Sequence, residues 1–151
     1  GYRCLYTGVD LSGWKAAEGW RSHDWQFRFH GESGGEGTAM EFEEAFGDFG
    51  FIFDVRFTEE TKQLVFQLRG NDASAVRVAT DLYKGDLVLK GRNWNRFEGE
   101  LRGNRLTLFL NGRIVIDDKK LGELPAKGPI RIVPSGQVSM ANVYVRPLAK
   151  R

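Results

Sequence analysis

The sequence predicts an all-β fold, an antiparallel sandwich of two sheets with negligible helix, and three observations predict it. Short segments alternate apolar with polar residues, most regularly in "QLVFQLRGNDASAVRVATDLY", residues 63–83. Two such segments flank the dipeptide Asn111-Gly112, the strongest short-range signal for a tight hairpin. Gly is plentiful (19) and Pro scarce (4), so the alternating segments are separated by turns.

Taken in order, strands are predicted at 2–6, 25–30, 38–42, 49–57, 63–69, 74–83, 86–90, 94–102, 105–110, 113–117, 129–133 and 137–146. In 49–57 Phe49, Phe51, Phe53, Val55 and Phe57 share one face, with Asp54 and Arg56 on the other. In 63–69 Leu64, Phe66 and Leu68 oppose Val65, Gln67 and Arg69; in 74–83 Val76 and Val78 oppose Ala75, Arg77 and Ala79. Leu106, Leu108 and Leu110 alternate with Thr107 and Phe109 before the Asn111-Gly112 turn, and Ile114 and Ile116 resume beyond it. One helical turn is expected near "FEEAF", residues 42–46, and a surface connection at "HGESGGEG", residues 30–37. Asp117 and Asp118 in "IDDKK" lack the spacing of a calcium loop and read as a turn.

Length and charge narrow the function classes. The 151 residues suit one domain over 1–151, long enough to bury its own core. No stretch approaches the ~20 apolar residues of a membrane helix, so no membrane insertion is expected. Residues 1–15 lack a signal-peptide profile. A net charge of +2, spread evenly, argues against a nucleic-acid partner. Cys4 is the only cysteine, so no intramolecular disulfide or zinc-thiolate site can form; with His23 and His30 the only histidines, no metal is expected and no cofactor is called for.

If 49–57, 63–69 and 74–83 are neighbours in one sheet, Asp54, Arg56, Gln67, Arg69 and Arg77 form a polar strip above an apolar face. Guanidinium groups offer planar donor forks that can grip vicinal hydroxyls or a carboxylate. The strip is therefore a candidate ligand surface, with solvation of a one-sided sheet as the competing account. Tyr83 would stand at its rim, and Trp20 and Trp25, in the polar run "GWRSHDWQF", are candidate sugar-stacking residues. Trp14 and Trp94 read as core or end-closing residues. Glu98 and Glu100 share a strand face at about 7 Å between Cα atoms, within reach of the carboxylate pairing used in glycoside hydrolysis. Alternation with Phe97 and Leu101, and the flanking Arg96 and Arg102, favours a solvated pair.

Four segments, in order, resemble the bacterial 3-keto-disaccharide hydrolase domain family: "LYTGVDLSGW" (5–14), "FGDFGFIFDVRF" (46–57), "WNRFEGELRGNRLTLFLNG" (94–112) and "GPIRIVPSGQVSMANVYVRPL" (128–148). The resemblance implies a concanavalin-like jelly roll, a carbohydrate partner and an extracytoplasmic setting (periplasmic or secreted); a place as one module of a longer parent chain stays open beside it. Cleavage of a 3-keto glycoside would need a base for the C2 proton, an acid, and cationic donors beside the developing enolate. Arg69, Arg77 and His23 have the right chemistry. The family's usual long insert and its Glu-x-Gln strand are replaced by "QLVFQLRGNDASAVRVATDLYKGDLVLKGRN", so no catalytic residue carries over. Two readings stand: a carbohydrate-associated domain, enzymatic or only glycan-binding, and a non-catalytic structural or protein-interaction module.

Overall fold

The computed structural model describes residues 1–31, 36–58, 60–70, 72–79 and 93–150. Thirteen strands run through them: β1 (Arg3–Cys4), β2 (Trp14–Ala16), β3 (Trp20–His23), β4 (Gln26–Phe29), β5 (Met40–Phe46), β6 (Phe49–Phe57), β7 (Gln63–Gln67), β8 (Ala75–Ala79), β9 (Asn95–Arg102), β10 (Arg105–Leu110), β11 (Arg113–Lys120), β12 (Gly128–Ser135) and β13 (Val138–Pro147). Helix among the described residues is limited to two three-residue 3₁₀ turns, Glu36–Thr38 and Asp72–Ser74. The all-β expectation holds.

All pairings are antiparallel and form two sheets. Sheet A has the order β11-β10-β9-β6-β13-β4-β3, with β1 beside β13; sheet B has the order β2-β5-β12-β7-β8. The sheets face one another across a core of aromatic rings. Phe49, Phe51, Phe53 and Phe57 of β6 are each at most 1% exposed. Phe53 meets Phe66 of sheet B with centroids 4.8 Å apart, and Phe66 meets Phe97 at 5.7 Å. Burying one such ring contributes about 2 kcal/mol, so this ladder is a principal reason the sheets stack.

Local sequence explains the element ends. Asn111 and Gly112 have φ of 50° and 79°, as a type I′ turn requires, and Leu110 pairs with Arg113 across the hairpin. In β9, Gly99 leaves room for the Phe51 ring: a Cβ there would lie 2.8 Å from that ring and 2.3 Å from the Thr107 carbonyl oxygen.

Four expectations are corrected. Residues 42–46 are strand, not helix, because β5 hydrogen-bonds β12 and β2 and buries Met40 and Phe46. Asp117 and Asp118 lie within β11, where a bulge gives Asp118 a φ of 44° and lets Arg105 pair with it at 2.7 Å. Strands β2 and β3 were not expected; each begins at a buried Trp. Most consequentially, β6 is not beside β7. It lies in sheet A, while β7 and β8 lie in sheet B. The predicted strand at 86–90 and the end of 74–83 fall outside the described residues.

Candidate functional site

The corrected topology divides the proposed polar strip. Asp54 and Arg56 face outward from sheet A, because their neighbours Phe53, Val55 and Phe57 fill the core. Gln67 and Arg77 face outward from sheet B, on the opposite side of the molecule, since Gln67 pairs with Ala75 and Arg77 with Val65. Gln67 is 3% exposed in a row that crosses three strands: Arg131 donates to its Oε1 at 2.7 Å and bridges to Glu41 at 3.1 Å, while Gln67 Nε2 donates to Asp72 at 3.0 Å.

Arg69 joins neither surface. The chain turns after β7, and the side chain enters the end of the sandwich at 3% exposure. Its Nε donates to the Gly47 carbonyl at 2.9 Å, Nη1 to the Gly103 and Pro125 carbonyls at 2.9 and 3.2 Å, and Nη2 to Asp48 Oδ1 at 2.7 Å. One guanidinium thus ties three loops together.

Asp54, 6% exposed, is equally committed. Arg96 grips it with two hydrogen bonds, 2.9 and 2.8 Å, and Asn142 Nδ2 adds a third at 2.8 Å. Asn142 reaches it from a β13 bulge at a φ of 52°. The Asp54 hydrogen bond raises the Arg96 pKa above its ordinary value.

Among the aromatic candidates, Trp20 is in the core, its Nε1 donating to the Thr38 carbonyl at 2.7 Å. Trp25 is 72% exposed at the tip of the β3–β4 hairpin, with its ring against Gly8. Trp94 carries Arg56 over its ring at 5.0 Å. Tyr83 lies outside the described residues. His23 is at the surface, 2.9 Å from Asp24.

An open groove of about 520 Å³ lies on the outer face of sheet A. It is built by strand register. One row across the sheet reads Ile52, Glu98, Phe109, Ile114; the next reads Arg146, Gly50, Glu100, Thr107. Gly50 has no side chain, so Tyr2 lies over it: a Cβ there would stand 3.1 Å from the phenol oxygen. Arg146 sits over the Tyr2 ring at 5.1 Å and donates from Nη2 to Glu100 at 3.4 Å; its buried Nε has no hydrogen-bond partner among the described residues. Glu100 also accepts from Arg102 at 3.1 Å. Glu98 is exposed and makes no hydrogen bond or ion pair among the described residues. Burial raises the Tyr2 pKa first, Arg146 opposes, and Glu98 and Glu100 raise it further.

A larger hollow, about 1280 Å³, opens at the sandwich end above Arg69. Its charges are mostly closed in pairs: Arg69–Asp48, Arg102–Glu100 and Arg105–Asp118. No cluster of three or more His, Cys, Asp or Glu among the described residues is placed to hold a metal ion.

The groove residues Tyr2, Thr107, Phe109 and Arg146 were not singled out from sequence. Phe109 was the available signal: alternation places it outside with Thr107, an aromatic ring on a polar face.

A model of the family described as the 3-keto-alpha-glucoside-1,2-lyase-like domain matches residues 1–146. No match was found among curated proteins. Among solved structures, a candidate glycosyl hydrolase from Parabacteroides distasonis ATCC 8503 superposes with a TM-score of 0.79 at 15% identity, covering 99% of this chain and 94% of its own. The carbohydrate binding module CBM66 from Bacillus subtilis gives 0.69 at 14% identity, covering 87% and 93%. A Bacillus subtilis protein with a galectin-like fold gives 0.62 at 11% identity over the full length of both chains. At these identities the likeness is one of fold.

Proposed function

This chain belongs to the family of 3-keto-α-glucoside-1,2-lyase-like domains, and on that premise we propose that it binds a glycan in the outer-face groove of sheet A. The observation that carries the reading is the juxtaposition of half-exposed rings with an uncommitted carboxylate: Tyr2 and Phe109 are 37% and 36% exposed, and Glu98 stands between β6 and Phe109. A pyranose presents C–H groups on its ring faces and hydroxyls at its rim. Rings accept the first, while Glu98 and the Tyr2 phenol can accept from and donate to the second. A volume of about 520 Å³ suits one or two sugar rings.

Binding is favoured over turnover by the groove's openness. Elimination from a 3-keto glycoside builds charge on an enolate, and stabilising it calls for preorganised donors in a water-excluded site. The donor at hand, Arg146, is already turned to Glu100 and Tyr2.

A glycan array followed by calorimetric titration tests the proposal. Wild-type protein should retain at least one oligosaccharide, and Glu98→Ala with Phe109→Ala should weaken it about tenfold or more with little change in melting temperature. Equal affinity in the double variant would place the site elsewhere. Release of free sugar from a 3-keto-glucoside would show that the domain is an enzyme.

A further inference from the structure

Beyond the groove, the same face carries a row of unpaired positive charge. Arg21 of β3 pairs in register with Arg28 of β4, Arg28 with Ser139 of β13, and Ser139 with Arg56 of β6. Residues directly opposite one another share a face, and Trp20, Phe27, Phe29 and Phe57 occupy the core face, so all three arginines point outward. Neighbouring strands lie about 4.8 Å apart, which spreads the three charges over about 14 Å.

Like charges directly opposite destabilise a sheet, and most of the described arginines outside this row are neutralised, Arg77 and Arg113 being the exceptions. Arg3, Arg69, Arg96, Arg102, Arg105, Arg131 and Arg146 each have a carboxylate within 4 Å. Arg21, Arg28 and Arg56 have none among the described residues. Arg28 and Arg56 instead share one neutral acceptor, Gln26 Oε1, at 3.1 and 3.0 Å. Asp24, the nearby acid in the β3–β4 turn, is met by His23. Trp94 lies beneath Arg56, and Trp25 stands exposed at the hairpin tip, next to Gln26 in sequence, with its ring against Gly8.

We infer that this row is a subsite for an acidic glycan, one whose carboxylate or sulfate groups are gripped by Arg21, Arg28 and Arg56 while its rings lie along Trp25. Guanidinium stays charged at every physiological pH, and its fork matches both anions. The exposed indole adds a surface for C–H ring faces, which a free inorganic anion would not use. A net charge of only +2, spread over the chain, argues for a local carbohydrate contact rather than a nucleic-acid track. The inference rests on the outer face of sheet A being the sugar-facing surface, as proposed above.

The experiment compares wild type with the Arg21→Gln/Arg28→Gln double variant against polygalacturonate, dextran sulfate, unmodified dextran and random-sequence duplex DNA, at low and at physiological salt. Wild type should retain at least one of the two acidic polymers, more weakly as salt rises, and the double variant should bind it at least about tenfold less tightly. Its melting temperature should hold or rise, since a like-charge pair is removed. Absence of binding to both acidic polymers, unchanged affinity in the double variant, or DNA held as tightly as the acidic glycan would each overturn the inference. Neutral oligosaccharide binding that depends on Glu98, without acidic-polymer binding, sinks this inference alone. Acidic-polymer binding that needs Arg21 and Arg28, with Glu98→Ala harmless to every glycan, sinks the groove reading alone. If no glycan is retained, both fall.

Discussion

A single buried side chain, Arg69, holds the open end of the sandwich, and its chemistry sets what its loss should do. Four donor contacts reach three loop carbonyls and Asp48, and Asp48 Oδ1 also accepts from the Gly103 amide at 2.8 Å. Removing the guanidinium leaves the partly buried Asp48 carboxylate without its cation and the three carbonyls without their donor. Arg69→Ala should therefore cost about 3 kcal/mol in a denaturant titration, while Arg77→Ala, exposed on the last strand of sheet B among the described residues, should cost less than about 0.5 kcal/mol. Equal costs would refute the clamp. Tyr2 supplies a pH signature for the groove. Burial raises its pKa above the ordinary 10.0, so the folded state holds the phenolic proton more tightly than the unfolded state does. That contribution to stability is complete below pH 10 and is lost as pH rises through the folded value. The difference between wild-type and Tyr2→Phe ultraviolet titrations should show tyrosinate forming above 10; a midpoint at or below 10 would mean that the ring is not packed over Gly50. Of the residues singled out by chemistry alone, Arg69 was the hardest to place. Its alternation within 63–69 implied an outward face, but the strand stops at Gln67 and the turn redirects the side chain inward.

At the scale of elements, strands were legible where apolar alternation was long. Those of β6 and β10 and the Asn111-Gly112 hairpin are where periodicity put them, and β7 begins as expected but ends two residues early. Strands β2 and β3, of three and four residues, are too short to show a period, and each buries only its leading Trp fully. In β5 the ambiguity is geometric: Phe42 and Phe46 are four apart, which puts them on one side of a helix and of a strand alike. The groove was half legible, since the spacing of Glu98 and Glu100 gave one wall, while Tyr2 and Arg146 reach it from the opposite end of the sequence. Tight approach within β9 yields a sharp prediction. Gly99→Ala would drive a methyl group into the Phe51 ring and the Thr107 carbonyl oxygen, neither of which can move freely in the middle of sheet A. A loss of about 2 kcal/mol or more is expected by denaturant titration. A neutral effect would mean that β9 and β10 can separate locally.

For the whole molecule, the division into two sheets was the step alternation could not make. Both β6 and β7 bury one apolar face, and that requirement is met equally by pairing edge to edge or by stacking face to face. The choice is made far along the sequence, where β12 inserts beside β7 and β13 beside β6. Those two strands occupy the interior of sheet B and sheet A respectively. Folding must therefore wait for contacts between distant segments, and stopped-flow refolding should take milliseconds to seconds. Removing residues 128–150 should abolish cooperative unfolding altogether; a sigmoidal transition in the truncated chain would contradict the central role of β12 and β13. The pairing of β1 with β13 has a different consequence. Arg3 lies opposite Val145, and the Leu5 amide donates to the Val143 carbonyl at 2.7 Å, so residue 1 stands level with Pro147. Topologically the backbone is nearly a closed ring, and where that ring is cut matters less than that it is cut at an exposed turn. A circular permutant joined through a short Gly/Ser bridge and opened between Asn111 and Gly112 should keep its β-type circular dichroism and melt cooperatively. The same geometry suits the domain to being spliced into a surface loop of another protein, entering and leaving through one narrow gate.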